Sequence, residues 1–394
     1  MGTRQVRPGV VSVGAIDWDR RIFDELIPTP EGTSYNSYLV RGSKSTVLID
    51  TVDPTKEGEL FSHLDELKVD RIDYLIANHA EQDHSGVIPR ILSRYPSARV
   101  ITTPKGKDLL VSFLHIPGER ITTVQDRETL SLGDRTLEFI HAPWVHWPET
   151  MLTYLREERI LFTCDLFGSH YATGDITVED LGRVYWAAKR YYAEIMMPFR
   201  SLIQGHLEKI RPLPIEIIAP SHGPVYRKPE QILSAYRDWV SDSVKNEVVI
   251  PYVSMHHSTA AMVRHLVKAL TDRGVRVTPF NLTVTDIGEL AMALVDAATV
   301  IIGTPTVLTG PHPSAIYATY LVKLLKPKIK ACGVIGSYGW GGKTVKEITG
   351  ILQGLPIEFL DPVLVKGLPG PEDLKALDLL ADRIAEKHRS YGVL

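Results

Sequence analysis

Short apolar runs punctuate the first 245 or so residues: SYLV (37–40), STVLID (45–50), DYLIA (73–77), ARVITT (98–103), TLEFIHA (136–142), RILFTCD (159–165) and IEIIAP (215–220). Their length and β-branched content predict strands, and helical stretches such as GVIPRILSRYP (86–96) lie between them. An α/β layered domain is the expectation. From about residue 247 strands and helices alternate strictly, with strands at EVVIPYV, VRVTPF, TVIIGTP, KACGVIG and FLDPVLV and helices such as STAAMVRHLVKALTDRG and SAIYATYLVKLLK between them. Five strands separated by helices predict a doubly wound, five-stranded parallel sheet. The polar segment SDSVKNE (241–247) joins the two patterns and divides the chain into domains 1–245 and 246–394. No internal repeat or low-complexity segment interrupts either.

Length agrees with that division, since 394 residues exceed a single typical domain. A hydrophobic content of 44 % and a net charge of −3 fit an ordinary globular protein and give no reason to expect nucleic acid as a partner. No apolar stretch is long enough to span a membrane, and the first residues lack a signal-peptide pattern, so a cytoplasmic protein is expected. The two cysteines, Cys164 and Cys332, form no CxxC pair. Neither a disulfide framework nor a cysteine-ligated zinc or rubredoxin-type site can be built from them. Any metal must be held by histidines and carboxylates.

Four predicted strands end in such groups. DYLIA runs into NHAEQDHSG, which carries His79, Glu81, Asp83 and His84; TLEFIHAPWV leads to His146, RILFTC to Asp165 and IEIIAPS to His222. Sites in α/β sheets collect at the carboxyl ends of strands, so these residues can converge. Seven ligands exceed the need of one ion and suggest two, about 3.5–4 Å apart. Glu81, Asp83 and Asp165 contribute −3, and a bridging hydroxide brings the total to about −4, which balances two divalent ions and suits metals that change oxidation state. Redox-inactive zinc needs no such reserve. A lone histidine at a strand end is usually a satisfied turn residue, and His63, His115, His141 and His206 are read that way. His170, five residues after Asp165, is a candidate for the wall of the substrate pocket.

The second half offers a phosphate cradle. SMHHST (254–259) follows the first strand and opens a helix without any glycine, so it is neither a Walker loop nor a dinucleotide fingerprint. Hydroxyls of Ser254, Ser258 and Thr259 beside a helix N-terminus suit a terminal monoester phosphate, as in FMN. Two later loops can hold a flat ring: GTPTVLTGPHPS (303–314), and GSYGWGGKTV (336–345) with Tyr338 and Trp340 as aromatic faces and Gly339, Gly341 and Gly342 for close backbone approach. The candidate FMN contacts are Ser254, Met255, His257, Ser258, Thr259, Pro305, Thr306, Val307, Leu308, Ser337, Tyr338, Gly339, Trp340, Gly341 and Gly342.

The HxExDH motif at 79–84 with His146, Asp165 and His222, together with SMHHST, GTPT and GSYGWGG, resembles the flavodiiron proteins over essentially the whole chain. The resemblance implies a metallo-β-lactamase-like αββα sandwich followed by a flavodoxin-like domain. It also implies one iron at His79, Glu81 and His146, another at Asp83, His84 and His222, and Asp165 as the bridge. Hydrolases of the fold carry HxHxDH, so Glu81 is the mark of iron. Residues around His170, Tyr191, Tyr192 and Phe199, next to the metal ligands, would then bias the choice between dioxygen and nitric oxide. Departures are His256, where the family usually has an aromatic, and Leu308 with Thr309, where it has an Asn pair. The implied activity is reduction of dioxygen to water or of nitric oxide to nitrous oxide. Two ferrous ions and a reduced FMN together hold the four electrons dioxygen needs. With no third domain, electrons would come from an external donor, rubredoxin or a reduced deazaflavin, and the assembly would be a head-to-tail homodimer or a tetramer. The alternative is a binuclear zinc hydrolase fused to a flavodoxin-like domain, against which Glu81 discriminates.

Overall fold

The structure, a computed structural model, describes residues 3–394. The chain divides into two compact units: one runs through Tyr192 and takes up Phe199–Val240, and the other comprises Ser241–Leu394 with the short segment Ala193–Pro198.

The first unit contains two seven-stranded sheets. One is ordered Arg4–Arg7, Val10–Ser12, Tyr38–Arg41, Thr46–Ile49, Tyr74–Ile76, Arg99–Thr102, Ile121–Thr123. The other is ordered Thr129–Ser131, Thr136–His141, Met151–Leu155, Ile160–Cys164, Ile217–Pro220, Val225–Tyr226, Thr177–Val178. Alternation along the first sheet explains its unbroken apolar runs. Val47, Ile49, Ile76 and Ile101 point toward Phe139, Met151, Phe162 and Ile217 of the second sheet. Leu48, Leu75 and Val100 point the other way, onto Leu60 and Leu64 of helix Glu57–Glu66 and Ile88 and Ile91 of helix Ile88–Arg94. Strands buried on both faces have no polar side to show. Helices Arg200–Ile210 and Pro229–Val240 bury Ile203, Leu207, Ile232, Tyr236 and Trp239. All seven predicted strands of this half are present, and Met151–Leu155, unpredicted, adds a fully buried strand between two of them.

In the second unit the sheet runs Arg276–Asn281, Lys245–Tyr252, Ala297–Val307, Ala331–Tyr338, then Glu358–Phe359. Val363–Lys366 joins the same side of Ala331–Tyr338, and all these pairings are parallel. The order 2-1-3-4-5 is that of a flavodoxin-like sheet. The expected fifth strand is broken in two around Asp361 and Pro362, because proline cannot donate to the ladder. The first strand starts at Lys245, inside the polar joining segment.

Candidate metal centre and flavin loops

Five of the seven proposed ligands follow a strand in the loop after it, and the other two sit on a short helix just beyond. His79 and Glu81 follow strand Tyr74–Ile76, and the short helix Gln82–Ser85 lifts Asp83 and His84 into the same pocket. Asn78 anchors this turn: its backbone N–H and side-chain amide donate to the two oxygens of Asp50 at 2.8 and 2.9 Å, and its Oδ1 accepts from Thr153 at 2.7 Å. Cys164, at φ 50°, turns the chain sharply at the end of its strand just before Asp165.

The ligand atoms form two groups, His79 with Glu81, His146 and Asp165, and Asp83 with His84 and His222. Asp165 faces both. Its Oδ2 lies 3.5 Å from His79 Nε2 and 3.2 Å from His146 Nε2, and its Oδ1 lies 3.1 Å from His84 Nε2 and 3.5 Å from His222 Nε2. Glu81 Oε2 is 3.0 and 3.1 Å from His79 and His146, while Asp83 Oδ2 is 3.1 Å from both His84 and His222. Donors about 2.1 Å from a common centre lie about 3.0 Å apart at right angles and about 3.4 Å apart at tetrahedral angles, so these spacings suit donors gathered around bound ions. Both oxygens of Asp83 and Asp165 and Nε2 of His84 are buried without a hydrogen-bond partner among the described residues, which bound cations would resolve. The electrostatics agree. Burial opposes every charge here, yet the histidines hold Glu81 and Asp165 well below the carboxylate range, and the carboxylates push His84 and His146 up to about 9. Four imidazoles and three carboxylates facing one another in a largely buried pocket make a donor set suited to cations.

The residues that aim the ligands were not legible beforehand. Buried Glu149 accepts from His79 Nδ1 and from the Ala80 backbone N–H, both at 2.9 Å, which fixes the ring and turns Nε2 inward. His222 Nδ1 donates to the Ser34 carbonyl at 2.7 Å. Trp147 stands edge-on to His79 at 5.0 Å. His170 is brought to the site: its Nδ1 bonds Thr33 at 2.9 Å and its ring lies 5.0 Å from His222, and burial followed by the neighbouring His222 holds it well below the usual histidine range, hence uncharged. Tyr192 is not brought there. Its hydroxyl donates to the Trp239 carbonyl at 3.1 Å, and Tyr191 instead packs 4.9 Å from His170, because successive helical residues point about 100° apart. His63, His141 and His206 each bond a backbone carbonyl, and His115 caps a helix at φ 52°.

In the second unit, helix Ser258–Asp272 starts from His257 at φ 65°, and Ser254 Oγ accepts from Ala260 N at 3.1 Å. The Ser258 and Thr259 N–H groups precede the first intrahelical hydrogen bond. Thr259 and Ser337 hydroxyls are 3.3 Å apart, tying the first loop to the third. Met255, Leu308 and Trp340 are exposed apolar side chains, one from each loop. Gly339 and Gly341 face open space, whereas a side chain at Gly342 would strike Thr306 and the Thr309 carbonyl, so Gly342 serves loop packing. Leu308 and Thr309 form a two-residue hairpin turn between Val307 and Gly310 with both φ values positive, 48° and 71°. Such a turn favours Asn–Gly, and a leucine followed by a β-branched residue strains it. Leu308→Asn combined with Thr309→Gly is expected to stabilise this unit by about 1–2 kcal/mol, measured as a raised denaturant midpoint.

Known proteins share this fold. A family model described as ODP family beta lactamase matches residues 33–223. A nitric oxide reductase of Moorella thermoacetica is 38 % identical over 395 residues, which cover 97 % of this chain and 98 % of that protein. The solved rubredoxin oxygen:oxidoreductase of Desulfovibrio gigas matches with a TM-score of 0.95 at 30 % identity, with 100 % of both chains covered. A flavodiiron protein of Giardia intestinalis matches at 0.92 and 28 % identity, covering 99 % of this chain and 97 % of its own. The layered first unit is thus metallo-β-lactamase-like and the second flavodoxin-like, and the chain belongs to the flavodiiron protein family.

Proposed function

We propose that the chain is an oxidoreductase that reduces dioxygen to water, nitric oxide to nitrous oxide, or both, at two non-heme iron ions, with FMN relaying electrons from an external donor. The observation that carries this reading is the Asp165 carboxylate, whose two oxygens face two separate histidine and carboxylate groups. His79, Glu81, His146 and Asp165 would hold one iron, and Asp83, His84, His222 and Asp165 the other. Three carboxylates favour iron over the zinc of a hydrolase. Bound there, iron would supply one-electron redox chemistry and FMN the step between two-electron and one-electron transfer. The protein positions and shields. Glu149 orients His79, Trp147 walls off His79 and His146, and uncharged His170, whose buried Nε2 has no partner among the described residues, faces the substrate. Ser254, Ser258 and Thr259 would take the FMN phosphate, with residues 305–308 and 337–342 around the ring.

The names of the relatives support dioxygen and nitric oxide as substrates and a donor such as rubredoxin; reduced deazaflavin is the other donor proposed. A head-to-tail homodimer in the cytoplasm completes the reading; among the described residues no helix is long and apolar enough to cross a membrane. The test is metal analysis with an absorption spectrum, followed by anaerobic reduction and separate dioxygen and nitric oxide turnover with one donor. Zinc without iron in active protein would instead support the hydrolase. Glu149→Gln is expected to weaken metal binding by about 10- to 100-fold while flavin binding is unchanged, as read by competition with a chelator.

A further inference from the structure

Two buried donors, one against His222 and one behind Phe23, lack an acceptor among the described residues. Tyr35 ends strand Thr33–Tyr35 and is 0 % exposed, yet its hydroxyl meets no hydrogen-bond partner among the described residues. The Arg20 Nε–H is buried and unpartnered in the same way. Tyr35 stands against His222 directly, and Arg20 reaches the same side through Phe23. The Tyr35 ring stands edge-on to His222 at 5.8 Å and 67°. The Arg20 guanidinium lies 5.6 Å over Phe23, and Phe23 in turn is 5.7 Å from His222 and 4.7 Å from His170. Burial first, and then Asp53, raise the pKa of the Tyr35 hydroxyl, with Arg20 opposing and Asp83 adding to the rise.

A buried phenol without an acceptor is less stable than the phenylalanine that would fill the same space. Arg20 adds a permanent positive charge. Donors kept at such a cost fit an acceptor that appears only during turnover. Dioxygen is neutral and accepts hydrogen bonds poorly; once electrons enter it, it becomes a strong anionic acceptor. Donors that act only then favour the reaction without holding the substrate back.

We propose that Tyr35 O–H and Arg20 Nε–H hold the oxygen atoms of partly reduced dioxygen until all four electrons have arrived, so that the pair acts against release of hydrogen peroxide. Complete turnover joins dioxygen with four electrons and four protons to give two waters. Escape after two electrons and two protons gives hydrogen peroxide. The electrons come from the external donor in both cases and the protons from solvent. The inference rests on the dioxygen-reducing reading above.

The test uses the holoenzyme with excess reduced donor. Hydrogen peroxide formed per dioxygen consumed is compared for the wild type, Tyr35→Phe, Arg20→Gln and Arg20→Lys, with iron content and melting temperature recorded for each. A peroxide fraction at least about tenfold above wild type is expected for Tyr35→Phe and Arg20→Gln, because a lost oxyanion donor commonly costs about 10²- to 10³-fold. Arg20→Lys, which keeps the charge and loses the Nε donor, is expected to fall between, and Tyr35→Phe to melt no lower than wild type. An unchanged peroxide fraction in both Tyr35→Phe and Arg20→Gln, or loss of iron from both, overturns the proposal. A wild type that reduces nitric oxide but not dioxygen overturns it too and leaves the family-level function standing. A wild type that reduces neither overturns that function as well.

Discussion

Asp165→Ala is expected to yield a chain that still binds flavin, holds less than one iron, and turns over neither dioxygen nor nitric oxide. One carboxylate faces His79 and His146 with Oδ2 and His84 and His222 with Oδ1, so its loss reaches both groups at once. Removing one partner of a buried, paired charge costs about 3–5 kcal/mol, roughly two to four orders of magnitude in the affinity of each ion. Metal analysis beside the flavin absorbance checks it directly. Two irons per chain with normal turnover would remove Asp165 from the bridging role.

The second large effect concerns the identity of the metal. Glu81→His lowers the carboxylate charge of the site from −3 to −2 and converts HxExDH at 79–84 into HxHxDH. Glu81 lies 3.0 Å from His79 and 3.1 Å from His146, so an imidazole there keeps a ligand but loses the anion that stabilises oxidised iron. The variant is expected to favour zinc when both metals are offered and to lose at least about 100-fold in dioxygen or nitric oxide turnover, the order of effect of disturbing a metal site's ligands. Unchanged iron content and turnover would contradict the charge argument.

Much of this was legible in the chain because the strands are buried on both faces and read as unbroken apolar runs, with candidate ligands where each run stops. What escaped is long-range. Glu149 sits 70 residues from His79, and Ser34 sits 188 from His222; no local pattern links a carboxylate or a carbonyl to a ring that far away. Tyr191 and Tyr192 look alike in sequence, and only the helix phase, followed by the π-turn at Tyr192–Met196, decides which one meets His170. Tyr35 and Arg20 gave no signal at all, since an unsatisfied hydroxyl is a property of its surroundings. The hairpin at Leu308 shows the opposite failure: its residues argue against a tight turn, and tertiary clamping by the Lys343 N–H on the Thr309 carbonyl at 2.7 Å imposes one.

The apolar layer between the two sheets of the first unit is built from Val47, Ile49, Ile76, Phe139, Phe162 and Ile217, none of which is a ligand. That separation predicts reversible metal loading. In domains where the ion itself is the core, chelation and unfolding are one event. Here a chelator should strip iron and leave a folded, refillable scaffold with unchanged far-ultraviolet circular dichroism. The same emptied protein can then be charged with manganese, cobalt or zinc, so that the contribution of each metal is compared within one unaltered frame.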